Sequence, residues 1–143
     1  MSPDVTVNAG AFDDVDEALL ERAVAHTLAA EGVEEAELSL TLVDDAGIRD
    51  LNARWLGRDR PTDVIAFTLG QAPAVLGDVY IGVEQARRQA GELGVPLAEE
   101  LVRLAVHGTL HVLGHDHPEG AERTGSPMFV LQEALVRELT GGA

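Results

Sequence analysis

The eight residues AELSLTLV (36–43) alternate polar and apolar side chains, the period-two pattern of a half-buried β-strand. DVTVNA (4–9) alternates in the same way and predicts a strand ahead of it. Between them, DVDEALLERAVAHTLAAEG (14–32) spaces its apolar residues three and four apart, which predicts a helix ended by Gly32. DDAGIRDLNARWLG (44–57) opens on capping aspartates and closes on Gly57, so it predicts a second helix. DVIAFTL (63–69) and DVYIGV (78–83) predict two further strands, joined by the turn residues of GQAPAVLG (70–77). From residue 84 the periodicity is helical: 84–94 closed by Gly94, then 97–113 stopping at Gly114, and a last helix opened by Pro127. The order of these elements predicts one α/β domain over 1–143, a mixed sheet of about four strands packed with helices.

Composition changes this picture little. With 45% hydrophobic and 24% charged residues, the chain fits an ordinary globular domain. No stretch approaches the roughly 18 apolar residues of a membrane span. The acidic start, MSPDVTVNAGAFDDVDEALL, lacks the basic and apolar regions of a signal peptide. There is no cysteine, which removes disulfides and thiolate ligands and makes a reducing cytoplasm the expected location. Charge matters more. The net charge is −15, and all ten basic residues are arginine. Such a surface repels phosphate at long range and weighs against a nucleic-acid partner unless arginines gather locally. Arg54, Arg58 and Arg60, and the adjacent Arg87 and Arg88, are the candidates for such a patch.

The candidate chemistry lies in HGTLHVLGHDH (107–117), which holds four of the five histidines. His107, His111 and His117 stand at offsets 0, 4 and 10, with Gly114 at offset 7, the spacing of the zinc-protease signature H-E-x-x-H-x-x-G-x-x-H. Residues four apart share a helix face, and a glycine can end the helix and return the chain toward it. Three imidazoles with an open fourth position describe a catalytic zinc site at the end of a helix, with nickel or cobalt also compatible. Gly108 replaces the glutamate that takes the proton in the proteases, so the ligand set lacks that base. Asp116 is the nearest substitute, either as a base or as a partner holding a ligating histidine, and a loop-capping carboxylate is the other reading. His115 is read as a non-ligand, and His26 as an ordinary hydrogen-bonded helix residue. Met128 compares with the Met-turn of those proteases, or is simply a buried apolar residue. Trp55, Phe67 and Tyr80 are read as core.

HGTLHVLGHDH closely resembles the H-G-x-L-H-L-x-G-y-D-H motif of the YbeY family, bacterial rRNA-maturation endoribonucleases. LNARWLGRDRPTDVIAF (51–67) is similar to that family's L-N-x-x-y-R-x-x-d-x-P-T-D-V-L-S-F, and LGDVYIGVEQARRQA (76–90) to its L-G-D-I-x-I-x-x-e-x-x-x-x-Q-A. The resemblance spans roughly residues 38 to 135. It implies a zinc-dependent, single-strand-specific endoribonuclease with His107, His111 and His117 as ligands at the base of a cleft. It also implies action in 16S rRNA 3′-end maturation and ribosome quality control, with rRNA precursor and ribosome or small-subunit factors as partners and no membrane. The chain departs from the pattern at Leu56, where the family often has an arginine, and at His115, where it usually has tyrosine. Arg54, Arg58 or Arg60 could take over the phosphate contact, because a guanidinium offers forked donors to phosphate oxygens. Two alternatives remain at this point: a non-catalytic ribosome assembly factor with a structural zinc, and a metallohydrolase of another substrate.

Overall fold

In the computed structural model, which describes residues 3–116 and 125–141, strand β1 (Asp4–Asn8) leads into helix α1 (Glu17–Ala30). Strand β2 (Ala36–Val43) and helix α2 (Asp45–Leu56) follow, then strands β3 (Val64–Gly70) and β4 (Val75–Gly82). Helices α3 (Val83–Leu93), α4 (Leu97–Val112) and α5 (Pro127–Thr140) complete the chain. The helix starts have local causes. Asp16 accepts from the Leu19 N–H at 3.1 Å, Asp44 from Gly47 at 2.7 Å, and Ser126 from Phe129 at 3.2 Å, each filling an orphan donor of the first turn.

The four strands form one sheet in the order β1-β2-β4-β3. β1 and β4 run parallel to β2, whereas β3 pairs antiparallel with β4. The sheet is therefore mixed, as the sequence pattern predicts. β4 begins at Val75 rather than at residue 78, so the turn before it is shorter than expected. The cause is Gly77, which reads as a turn residue but sits inside the strand under α4. A Cβ there would lie 2.5 Å from Val112 Cγ1. A strand glycine of this kind marks a close approach of another element rather than a turn.

Alternation along the strands divides the sheet into two faces. Leu38, Leu40 and Leu42 of β2 and Val79 and Ile81 of β4 are buried beneath α1 and α4. Helix α5 lies over α4 and α1, so α4 is enclosed between the sheet and a second helix layer. Its residues from Glu100 to Leu110, Arg103 apart, are accordingly buried. The opposite face is covered only in part by α2, and this overturns the reading of the three aromatics as core. Trp55 is 63% exposed, and Phe67 and Tyr80 are only half-buried. They stack edge to face across that surface, with ring centroids 6.2 and 6.1 Å apart. Met128 is buried in the core. No helix among the described residues is long and apolar enough to cross a membrane.

Candidate metal centre

The last two turns of α4 carry the site. His107 and His111 are one turn apart, so both rings project from the same side of the helix. His107 is buried and His111 half-buried. Their Nε2 atoms stand 3.1 Å apart. Two Zn–N bonds of about 2.0–2.1 Å at a near-tetrahedral angle would set their nitrogens about 3.3 Å apart. The donor set therefore fits a divalent transition metal held by two imidazoles.

The helix ends where the site needs it to. Gly114 N–H donates to the His111 carbonyl at 3.0 Å and His115 N–H to the Leu110 carbonyl at 3.0 Å, the double bond of a Schellman stop. Gly114 has φ +99°, a conformation that side-chain-bearing residues rarely adopt. His117, the third predicted ligand, lies outside the described residues. Among the described residues, no group of three potential ligands converges. His115 turns to Glu31 at the C-terminus of α1 and pairs with it through Nε2. Asp116 is exposed just beyond the helix stop. His26 pairs with Glu138 at 2.7 Å on the surface of α1.

Gly108 has a structural role that the motif comparison misses. It faces the sheet, where a Cβ would lie 2.6 Å from Val79 Cγ1 and 3.2 Å from Val64 Cγ2. The missing side chain lets the histidine-bearing helix sit directly on β3 and β4, and a glutamate there would have no room. Gly108→Ala should gain about 1 kcal/mol of helix propensity but lose more by overpacking against two stiff, β-branched valines. Denaturant unfolding should show a net destabilisation of about 1 kcal/mol. A variant as stable as the parent would show that the contact is slack.

Behind His107 lies a polar cluster that sequence reading did not find. His107 Nδ1 lies 2.6 Å from Gln132 Oε1, and Gln132 Nε2 donates to Glu133 Oε2 at 3.0 Å. Arg103 donates to both oxygens of Glu133, at 2.9 and 3.1 Å, and also to Glu100 and Glu99. Burial opposes ionisation of Glu133, but the bonds from Arg103 and Gln132 outweigh it and hold its carboxyl below the ordinary glutamate value. Burial likewise opposes the charge on Arg103, and its carboxylate partners more than restore it. Only the i, i+3 and i, i+4 spacing of Glu100 and Glu99 to Arg103 is visible in the sequence. The cross-helix partners are not. A cavity of about 350 Å³ opens beside His107, lined by Asp63, Glu100, Arg103, Phe129 and Gln132 among others.

Asp63 ends the loop that follows α2, and this loop carries two of the arginine candidates. Arg54 is committed to Asp50 at 2.6 Å, Arg87 to Asp14 at 2.7 Å, and Arg88 to Asp45 at 3.0 Å. Arg58 and Arg60 are exposed, and among the described residues neither is paired with a carboxylate. Buried Asn52 pins the loop by donating to the Arg60 carbonyl at 2.9 Å, and Arg49 holds Asp59 at 2.8 Å. Asn52, within LNARW, positions this loop through a partner eight residues away that the sequence does not reveal. Leu56, at the end of α2, is exposed.

The profile of the family described as endoribonuclease YbeY matches residues 6–140. The chain belongs to the YbeY endoribonuclease family. The endoribonuclease YbeY of Desulfitobacterium hafniense is 50% identical over 85% of this chain and 83% of its own. That of Persephonella marina is 41% identical over 75% of this chain and 72% of its own. The fold is similar to the solution structure of TM1509 from Thermotoga maritima, which is 27% identical with a TM-score of 0.65 and covers 97% of this chain and 89% of that one.

Proposed function

We propose that this chain is a zinc-dependent endoribonuclease that cuts single-stranded RNA, acting in the cytoplasm on the 3′ end of 16S rRNA precursor and in ribosome quality control, alongside small-subunit factors. The observation that carries the metal half of this reading is the 3.1 Å meeting of the His107 and His111 Nε2 atoms at the end of α4. Membership of the YbeY family supports RNA, rather than peptide, as the substrate. His107, His111 and His117 would hold the ion, which when bound supplies a Lewis acid beside the scissile phosphodiester.

The chain's own groups do the rest. Arg58 and Arg60, on a pinned loop and without a carboxylate partner among the described residues, would take the phosphate charge with forked N–H donors. Gly108 has no group to move a proton, so Asp116 is the residue of this segment that could serve as base or hold a ligating histidine. A single strand suits such a cleft because its backbone can bend into it.

The deciding experiment is cleavage of a labelled single strand and of the matching duplex by metal-depleted protein, before and after zinc is restored. Cutting of the single strand alone, dependent on zinc and abolished by chelator, is the expected result. Equal cutting in chelator would overturn the reading. In the same system, Arg58→Ala and Arg60→Ala should each weaken RNA binding and flatten its salt dependence. The logarithmic slope should fall by about 0.7 for each phosphate contact removed. Unchanged affinity and slope in both would remove these arginines from the site. One observation favours a second reading, a non-catalytic assembly factor with structural zinc: Leu56 stands exposed where the family often has arginine. In that case no zinc-dependent cutting occurs, and loss of a histidine lowers thermal stability instead.

A further inference from the structure

His107 reaches a metal only through Nε2, and a neutral imidazole has its lone pair there only if the proton sits on Nδ1. The choice of tautomer therefore decides whether His107 is a ligand at all. In water the two neutral tautomers are of comparable energy, so something must hold the right one.

The geometry points to Gln132 as the positioning residue that keeps His107 in its Nδ1–H form and aims Nε2 at His111. The inference rests on the metal reading above. Gln132 Oε1 is 2.6 Å from Nδ1, and both residues are buried, so solvent competes little for the bond. An amide can present either its oxygen or its NH2 group, and here its other neighbour settles which. Gln132 Nε2 faces Glu133 Oε2 at 3.0 Å, a carboxylate that Arg103 already clamps through both oxygens. A carboxylate accepts and does not donate, so the amide must turn its NH2 toward Glu133 and its oxygen toward His107. Flipping it would set oxygen against carboxylate and NH2 against the Nδ1–H. The chain Arg103–Glu133–Gln132–His107 thus carries a fixed direction from a charged guanidinium to the ligand nitrogen. The first and last links also join α4 to α5, so ring orientation depends on helix packing as well as on the amide.

Three variants separate this role from plain packing. Gln132→Leu keeps the volume but removes the acceptor, and the exchange Gln132→Glu/Glu133→Gln keeps an acceptor facing Nδ1 without setting two carboxylates against each other. The first readout is the imidazole nitrogen NMR spectrum of metal-free protein, at a pH where the rings are neutral. Wild type and the exchange variant should show His107 protonated on Nδ1, and Gln132→Leu should shift it toward the Nε2–H form. The second readout is zinc affinity by competition with a chromophoric chelator. Gln132→Leu should bind zinc about 10- to 100-fold more weakly, with the exchange variant within a few-fold of wild type. The third variant, His111→Ala, should lose zinc binding while leaving the His107 tautomer unchanged. An unaltered tautomer and affinity in Gln132→Leu would overturn the role given to Gln132, as would an Nε2–H ring in the wild type. Failure of the wild type itself to bind zinc would overturn the metal reading beneath it, a distinguishable result.

Discussion

His111→Ala is expected to lower zinc-dependent cleavage of single-stranded RNA by roughly a thousandfold or more, to the level of the chelated enzyme. The size follows from what the ion supplies. A bound ion would supply charge stabilisation of several kcal/mol, and about 4 kcal/mol corresponds to roughly a thousandfold in rate. His111 is half-buried near the end of α4, one turn from Gly114, so its side chain supports little of the core. Metal-free His111→Ala should therefore unfold within about 1 kcal/mol of metal-free wild type, an ordinary value for a substitution outside the core. His26→Ala is the matched control. It removes an imidazole that also has a polar partner, Glu138, but lies on the surface of α1 away from the pair. It should keep wild-type cleavage and wild-type zinc content. Cleavage by His111→Ala within a few-fold of wild type, with zinc still bound, would exclude His111 as a ligand.

The ease with which α4 and its histidines can be read from sequence has a simple origin. Helical spacing puts residues four apart on one face whatever the tertiary surroundings, and the 3.1 Å Nε2 separation follows from that spacing plus rotamers. The capping aspartate of α2 and the alternation of β2 are local signals of the same kind, and both elements appear within a residue of the expected bounds. The features that escaped depend on what another element places opposite. Gly77 looks like a turn until Val112 presses on it. Gly108 looks like a catalytic residue lost until Val79 is seen beneath it. Trp55 looks like core, yet it is exposed because α2 covers only part of the second sheet face. Gln132 carries no sequence signal, since a glutamine 25 positions from His107 becomes its partner only when α5 docks on α4. The two glycines and the glutamine share one cause: α4 is enclosed by neighbours on nearly every side, and each neighbour imposes a requirement on a residue remote in sequence.

The same enclosure sets the second large effect, that of Arg103→Met. Arg103 is the cation that Glu99, Glu100 and Glu133 share, and the Glu100 side chain is 3% exposed. A methionine keeps the stem's volume but leaves three carboxylates facing one another with their main donor gone. Breaking a buried ion pair from one side costs roughly 3–5 kcal/mol. The low end, about 3 kcal/mol, is expected here, because Glu99 and Glu133 keep some contact with water that screens them. For a chain of this size that is a fall in Tm of roughly 10 °C. The pH dependence gives the mechanism its own signature. Glu133 is held below its ordinary value in the folded protein, so its contribution is complete above about pH 4.3 and is lost as pH falls through the lowered value. In the variant, burial acts on Glu133 opposed only by the Gln132 hydrogen bond and the charge of Arg137, so protonation costs the fold less than in the wild type. The gap between wild type and Arg103→Met should therefore narrow as pH drops below about 4, read by thermal unfolding across a pH series. A gap that stays constant would assign the loss to packing of the arginine stem rather than to its charge. Because Arg103 also fixes Glu133, and through it the Gln132 amide, the variant should weaken zinc binding at neutral pH even where it remains folded.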